Sequence, residues 1–213
     1  MTIGFVTGLA AEARLLAGVS RFVGIGGGTP EGAATEAERL IGLGAAGLIS
    51  FGLAGGLDPA LPPGFLLVPQ RIVEQDSTYE CDPRLIEKIG GVTVGLLLGG
   101  DAVAATIAAK AALFGGTGAS AIDLESGAIA RVARAHGVPF AVLRAVADPA
   151  WRDLPAAAII ALDHAGRIAI GRIALSIARQ PGQLPALMTL ARDAAKARST
   201  LLERVRVRFS TSP

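Results

Sequence analysis

Short apolar runs alternate with amphipathic stretches along most of the chain, and glycines recur where the runs end. Ile3–Val6 reads as a first buried strand, followed by Gly8 and a helical stretch over Ala10–Ala17. Arg21–Ile25 is a second short strand and Ala46–Phe51 a third. Phe65–Pro69 is the next, and Arg71–Glu74 extends the sheet. Residues 75–84 are polar and read as turns, Leu85–Ile89 as a short helix and Val92–Leu98 as a strand. Ala102–Leu113 is alanine-rich and predicts a helix, with Lys110 near its end.

Ser126–His136 predicts a helix whose apolar positions Ile129, Val132 and Ala133 share one face. Gly137 fits its C-terminal cap and Pro139 prevents continuation. Phe140–Val146 is a strand interrupted by Arg144, and Asp148 stands where it ends. Ala156–Arg179 is one long or two shorter helices, Pro181–Pro185 a linker and Leu187–Arg206 a final amphipathic helix. Strands that are continuous apolar runs, alternating with helices, predict a parallel sheet covered on both faces. No repeat or linker divides the chain. The expectation is one three-layer α/β/α domain over residues 1–213.

Composition sharpens this picture. The chain is 51% hydrophobic with 28 glycines and only 4% aromatic, which suits close packing of helices on a sheet. A net charge of +2 is too small to suggest nucleic acid. It is also uneven. Arg192–Arg208 carries six basic residues against two acidic ones, a net of +4, which leaves −2 for the rest. Cys81 is the one cysteine, so no internal disulfide framework exists. The sequence MTIGFVTG starts directly on a strand-like run without a basic signal region, and Ala156–Ala178 is broken by Asp163, His164, Arg167 and Arg172. A cytoplasmic protein is expected. The basic C-terminal helix and the aliphatic Ile159–Ile177 region have two readings, a solvated surface or a peripheral contact with an anionic membrane.

Candidate chemistry narrows to carboxylates. His136 and His164 lie in no ligand-spaced cluster, so no metal is expected. Cys81 has no adjacent base, and no GxSxG elbow is present. The segment GIGGGTPEGAATEAERL, containing Gly28 and Thr29, is neither a P-loop nor a GxGxxG fingerprint. Its glycines either cradle an anion or simply let a strand turn into a helix. Glu12, Asp101, Glu125 and Asp148 remain, all at strand or helix ends, where open α/β sheets bind ligands. Glu12 and Glu125 are equally explained as helix N-terminal acids, and Asp148 as a turn residue before Pro149. The functional alternative gives Glu125 the two hydroxyls of a ribose and lets burial make Asp148 an acid. Arg144, inside an apolar strand, needs a carboxylate partner in the same pocket.

Several segments together resemble one family. IGFVTGLAAEARLL, GGGTPEGAA, ISFGLAGGLDPALPPG, GGDAV with the later Lys110, and AIDLESGAIARVARAHGVPFAVLRAVAD cover most of the chain. They are similar to segments of the purine nucleoside phosphorylase and uridine phosphorylase superfamily, in particular of its methylthioadenosine/S-adenosylhomocysteine nucleosidases. DLESGAIA and VADPAWRDLPAAA most resemble the hopanoid-associated phosphorylases, a group associated with removing adenine from adenosylhopane.

The resemblance implies a central mixed, mostly parallel twisted sheet and cleavage of a purine N-glycosidic bond by water or phosphate. It also implies roles. Asp148 would protonate the base, Glu12 would orient the attacking water, and Glu125 would hold the ribose. Val103 and Ala104 would meet the base, Arg144 would support the acids, and Leu124, Ala54 and Gly55 would line the substrate. Gly8, Gly28 and Thr29 would form the phosphate or water loop. No cofactor is implied beyond phosphate as a co-substrate, and the family's oligomers imply at least a dimer. The substrate would be a small nucleoside, lipid-linked if the hopanoid resemblance holds, or otherwise methylthioadenosine, S-adenosylhomocysteine or futalosine. A nucleoside-binding protein that has lost catalysis is a further alternative.

Some positions depart from the family pattern. Leu124 replaces a methionine, Val103 an aromatic, Leu53 a serine that contacts the nucleophile, and Ala147 a serine that supports the aspartate. The phosphate-gripping arginines have no clear counterpart, Arg14 being the nearest. That favours water over phosphate, because Glu12 would repel phosphate.

Overall fold

The computed structural model describes residues 1–159, 175–176 and 178–209. Strands are β1 (Ile3–Thr7), β2 (Val23–Ile25), β3 (Gly47–Gly56), β4 (Leu66–Leu67), β5 (Pro69–Glu74), β6 (Ser77–Glu80), β7 (Val94–Gly99), β8 (Ala121–Asp123) and β9 (Phe140–Asp148). Helices are α1 (Ala10–Ala13), α2 (Pro30–Gly42), α3 (Pro83–Ile89), α4 (Ile107–Thr117), α5 (Ser126–His136), α6 (Ala156–Ile159) and α7 (Leu184–Phe209).

The strands form one mixed, mostly parallel sheet. β1 pairs in parallel with β2 and β3, β3 with β9, and β7 with β5 and β8. Antiparallel pairs join β3 to β8, β4 to β9 and β5 to β6. β3 is the hinge of this topology. Along Gly47–Phe51 it has β1 on one edge, and along most of its length it has β9 on the other. At Gly55 and Gly56 the edge facing away from β9 is taken by β8 instead. A fork therefore opens between the ends of β1 and β8, and it is this fork that makes room for a site.

Helices flank the sheet and complete the three-layer α/β/α arrangement expected from the apolar runs. α2 packs on α5, and α3 and α7 pack on each other and against β9. Every residue of β9 is buried, as a strand covered on both faces requires. Phe5 makes edge contacts with Phe51 and Phe209, tying α7 to the sheet. Gly137 adopts φ +64° at the C-terminus of α5, where a left-handed residue lets the helix stop.

Several boundaries differ from the sequence expectation, four of them with a clear physical reason. The stretch 75–84, read as turns, contains β6, an edge strand paired with β5 from Arg71↔Glu80 to Glu74↔Ser77. Its polar residues hide it, because an edge strand needs only one apolar contact, here Tyr79. The helix expected over Ala102–Leu113 starts later, at Ile107. Thr106 caps it, and Asp153 Oδ1 accepts from the Ile107 N–H. Alanine propensity overstated the helix because tertiary bonds hold 102–106 as a loop. β3 runs through its glycines to Gly56, and α7 begins at Leu184 with Pro185 in its first turn, where proline is tolerated. Residues 160–174 and 177, most of the aliphatic region considered for membrane contact, lie outside the described residues. No helix among the described residues is long and apolar enough to cross a membrane.

Candidate active site

Glu12 is delivered by the turn from β1 into α1. Its Oε2 accepts from the Leu9 N–H at 2.9 Å, a helix-capping bond that satisfies one orphan donor of α1. Its Oε1 accepts from the Leu53 N–H of β3 at 2.8 Å. Gly52 allows this approach, since at φ +152° a Cβ there would lie 2.5 Å from Glu12 Oε1. Burial raises the Glu12 pKa to about 7. The Arg144 charge opposes that rise, and the Glu125 charge adds to it.

Glu125 sits at the N-cap of α5, immediately after β8. Its own N–H and that of Ser126 are taken by Asp123 Oδ1, so Asp123 caps the helix. The Glu125 carboxylate is thereby free to face the fork. Its Oε2 accepts from Arg144 Nη2 at 2.6 Å, and its Oε1 fills the space a Cβ on Gly8 would need, 2.2 Å away. Burial raises its pKa while Arg144 lowers it. Arg144 is the hub. Its Nη1 donates to the Leu53 carbonyl and its Nη2 to Ser50 Oγ. Its Nε lies 3.1 Å from Asp123 Oδ2. Ser126 Oγ donates to Asp123 Oδ2 and shares a hydrogen bond with Ser50 Oγ.

Asp148 ends β9. The β3–β9 register skips one residue between Val146 and Asp148, so Ala147 is a bulge that re-aims the strand end. Asp148 Oδ2 lies 2.6 Å from Lys110 Nζ, while its buried Oδ1 has no hydrogen-bond partner among the described residues. Burial raises the Asp148 pKa and Lys110 counteracts it. Lys110 is itself fully buried, donating also to the carbonyls of Pro149 at 2.9 Å and Arg152 at 2.7 Å.

These groups enclose a cavity of about 210 Å³. Of the residues singled out in the sequence, Glu12, Gly28, Ala54, Gly55, Val103, Ala104, Leu124, Glu125, Arg144 and Asp148 line it. Gly8 stands behind Glu125. Thr29 is away from the lining and caps α2, accepting from the Gly32 N–H. Asp101 is exposed and outside the lining. Among the described residues no group of acids, histidines and cysteines could hold a metal ion.

The Phosphorylase superfamily profile matches residues 5–177. The chain belongs to this superfamily. A comparison with curated proteins finds no match. Among solved structures, the methylthioadenosine/S-adenosylhomocysteine nucleosidase of Neisseria meningitidis, in complex with methylthio-immucillin-A, superposes with a TM-score of 0.69 at 18% identity, covering 97% of this chain and 98% of that one. Futalosine hydrolase of Helicobacter pylori gives 0.68 at 17% identity, with the same coverage. The Streptococcus pyogenes S-adenosylhomocysteine nucleosidase, in complex with 5-methylthiotubericidin, gives 0.66 at 20%, covering 95% and 96%. At these identities the likeness establishes the shared fold.

In this superfamily member the sequence reading missed several residues of the site. It tied Lys110 to the base-pocket segment by resemblance, but without Asp148 as its partner, although Lys110 is the lone polar residue in IAAKAALF and the only buried side chain of α4. Asp123, Ser50 and Ser126 form the buried network around Arg144. Each is a polar residue in or beside an apolar strand, the signal that drew attention to Arg144. Leu154 and Ile122 also line the cavity. Leu154 is held there because its N–H donates to the Ala105 carbonyl, a long-range bond with no local sequence signal.

Proposed function

We propose that this superfamily member cleaves the N-glycosidic bond of a purine nucleoside by hydrolysis. The observation that carries the reading is the convergence of three buried carboxylates on one cavity, with the Glu12 pKa near 7. Glu125, held by Arg144, accepts hydrogen bonds from the ribose hydroxyls. Asp148, protonated, donates to a ring nitrogen of the purine. The C1′–N bond then breaks, its electron pair staying on the base. Glu12 takes a proton from the water whose oxygen bonds to C1′. A group titrating near neutrality suits that task, being ionised often enough to act as a base. The sugar carries positive charge in the transition state, and the two glutamates stabilise it. Water is favoured over phosphate because Glu12 lines the same cavity and, when ionised, its charge repels an anion.

The lining near the base, Val103, Ala104, Ile122 and Leu154, is apolar. Val103 is half exposed at its lip, so a substrate larger than the cavity leaves past it. This fits adenosylhopane, the substrate suggested by DLESGAIA and VADPAWRDLPAAA, whose tail cannot be enclosed in about 210 Å³. A lipid-linked substrate would place the enzyme at a membrane surface. Arg206 and Arg208 are exposed at the end of α7 for such a contact, whereas Arg204 is engaged with the Ile89 carbonyl. The test is adenine release from adenosylhopane and from methylthioadenosine, each with and without phosphate. Phosphate-independent release that is lost in Asp148→Asn is expected. Strict phosphate dependence overturns the hydrolytic assignment, and full activity of Asp148→Asn overturns the mechanism.

A further inference from the structure

α4 is a predominantly exposed, alanine-rich helix with one buried side chain, and that side chain is a lysine. Burying an ammonium without full pairing is costly, so Lys110 would not persist there as a packing residue. Its three N–H donors have three acceptors: Asp148 Oδ2 and the carbonyls of Pro149 and Arg152. The contacts all fall on the chain that leaves β9. Asp153 Oδ1 and the Leu154 N–H add two more bonds from the same loop to Ile107 and Ala105. Lys110 therefore joins the loop bearing Val103 and Ala104 to the strand end bearing Asp148. The residue preceding Asp148 is Ala147, which has no side-chain donor to offer the carboxylate.

We propose that Lys110 is the positioning residue of Asp148: by holding Oδ2 it fixes the orientation of the carboxyl at the cavity wall, and its charge tunes that group as an acid. This rests on the assignment of Asp148 as the acid. Two consequences follow from the charge. Lys110 stabilises the carboxylate left after proton transfer, and it lowers the pH at which Asp148 loses its proton. Among the described residues, the other charges facing Asp148 are Arg152, in the following loop, and Asp193 of α7. They are paired with each other, so their effects on Asp148 largely offset.

A ligand-free titration separates this inference from the catalytic reading. The Asp148 carboxyl is followed by carbon NMR, assigned by its disappearance in Asp148→Asn. In Lys110→Gln, which loses the charge but keeps a donor, its pKa should rise by at least about one unit. In Lys110→Arg it should stay within a few tenths of wild type. An Asp148 titration unmoved in Lys110→Gln overturns the proposal, whatever the activity. Turnover of methylthioadenosine and adenosylhopane then gives a second reading. Lys110→Gln should lower kcat about tenfold or more with KM little changed, move the alkaline limb of the pH profile upward, and be substantially rescued by Lys110→Arg. A loss of kcat with the alkaline limb unmoved, and with a lowered melting temperature, identifies a purely structural lysine. If Asp148→Asn retains full activity while the titration still shifts, the assignment of the acid fails and the Lys110–Asp148 coupling stands.

Discussion

The two ends of the cavity are built in opposite ways. At the end we assign to the sugar, Glu12, Glu125 and Asp123 surround Arg144, joined by Ser50 and Ser126, and every member is buried. Those residues come from β3, β8, β9 and the first turns of α1 and α5, all fixed by the sheet. At the end we assign to the base, the Lys110–Asp148 pair meets an apolar lining, with the Arg152–Asp193 pair beyond it, and Val103 and Ala104 come from a loop. The first end has redundancy and rigidity. The second has one ionisable pair at the cavity wall and, in Val103, a half-exposed lining residue. Under the proposed function, a common ribose would suit the first kind of construction, and variation between substrates the second.

Removing the hub should produce the largest effect. Arg144→Met leaves three carboxylates buried around no cation, and breaking a buried pair from one side costs about 3–5 kcal/mol. Urea unfolding at pH 7 should show at least that loss. The loss should shrink on acidification, because the carboxyls neutralise by taking up protons. A pH-independent loss below about 1 kcal/mol would mean that the network contributes little rigidity.

At the base end the expected loss is in rate rather than in fold. Asp148→Asn should lower kcat by about 10²–10⁴-fold, the usual contribution of a general acid. Its unfolding midpoint should fall less than that of Arg144→Met, because Lys110 retains two carbonyl acceptors. If the order is reversed, with Asp148→Asn the less stable variant, the contrast between a structural end and a chemical end fails.

Glu12 lies between the two extremes, since its environment alters both stability and rate. Its pKa rises from 4.5 unfolded to about 7 folded. The native state therefore binds this proton more tightly, and the associated stability is full below about 4.5 and lost as pH rises through about 7. The difference is worth about 1.4 kcal/mol per pKa unit. Urea unfolding of the wild type from pH 5 to 8 should carry that downward slope, and Glu12→Gln should lack it. Turnover has the opposite sign, because the base must be ionised. The wild-type kcat should fall below about pH 7, and Glu12→Gln should be inactive. A Glu12→Gln stability curve parallel to that of the wild type would place the titration elsewhere.

The same contrast explains what could be read from the sequence. At the sugar end, acids and Arg144 interrupt apolar runs, and a charge among apolar residues demands a partner whose position the strand order supplies. Glu12, Glu125 and Arg144 were visible for that reason, and so was the alternation that builds the sheet. Asp123 carried the same signal inside AIDL and was passed over. The base end is held by tertiary bonds. Nothing local shows that 102–106 is a loop, that Leu154 donates to Ala105, or that Lys110 turns inward from an alanine-rich helix to meet Asp148. β6 escaped because its partner on β5, not its own pattern, makes it a strand.

The smallest predicted effect tests whether the open lip sets substrate choice. Val103 lines the cavity and is 48% exposed, where nucleosidases of the family often carry an aromatic residue. An aromatic ring stacked on a base contributes about 1–3 kcal/mol in favourable cases, and half exposure puts Val103→Phe at the low end. The KM for methylthioadenosine should fall about three- to tenfold, with kcat and thermal stability unchanged. Adenosylhopane should respond differently, because its tail must pass the same lip. There the added ring narrows the exit, and KM should rise or stay level. Parallel improvement for both substrates would show that the lip contacts only the base, and the tail would then have to leave by another side of the cavity.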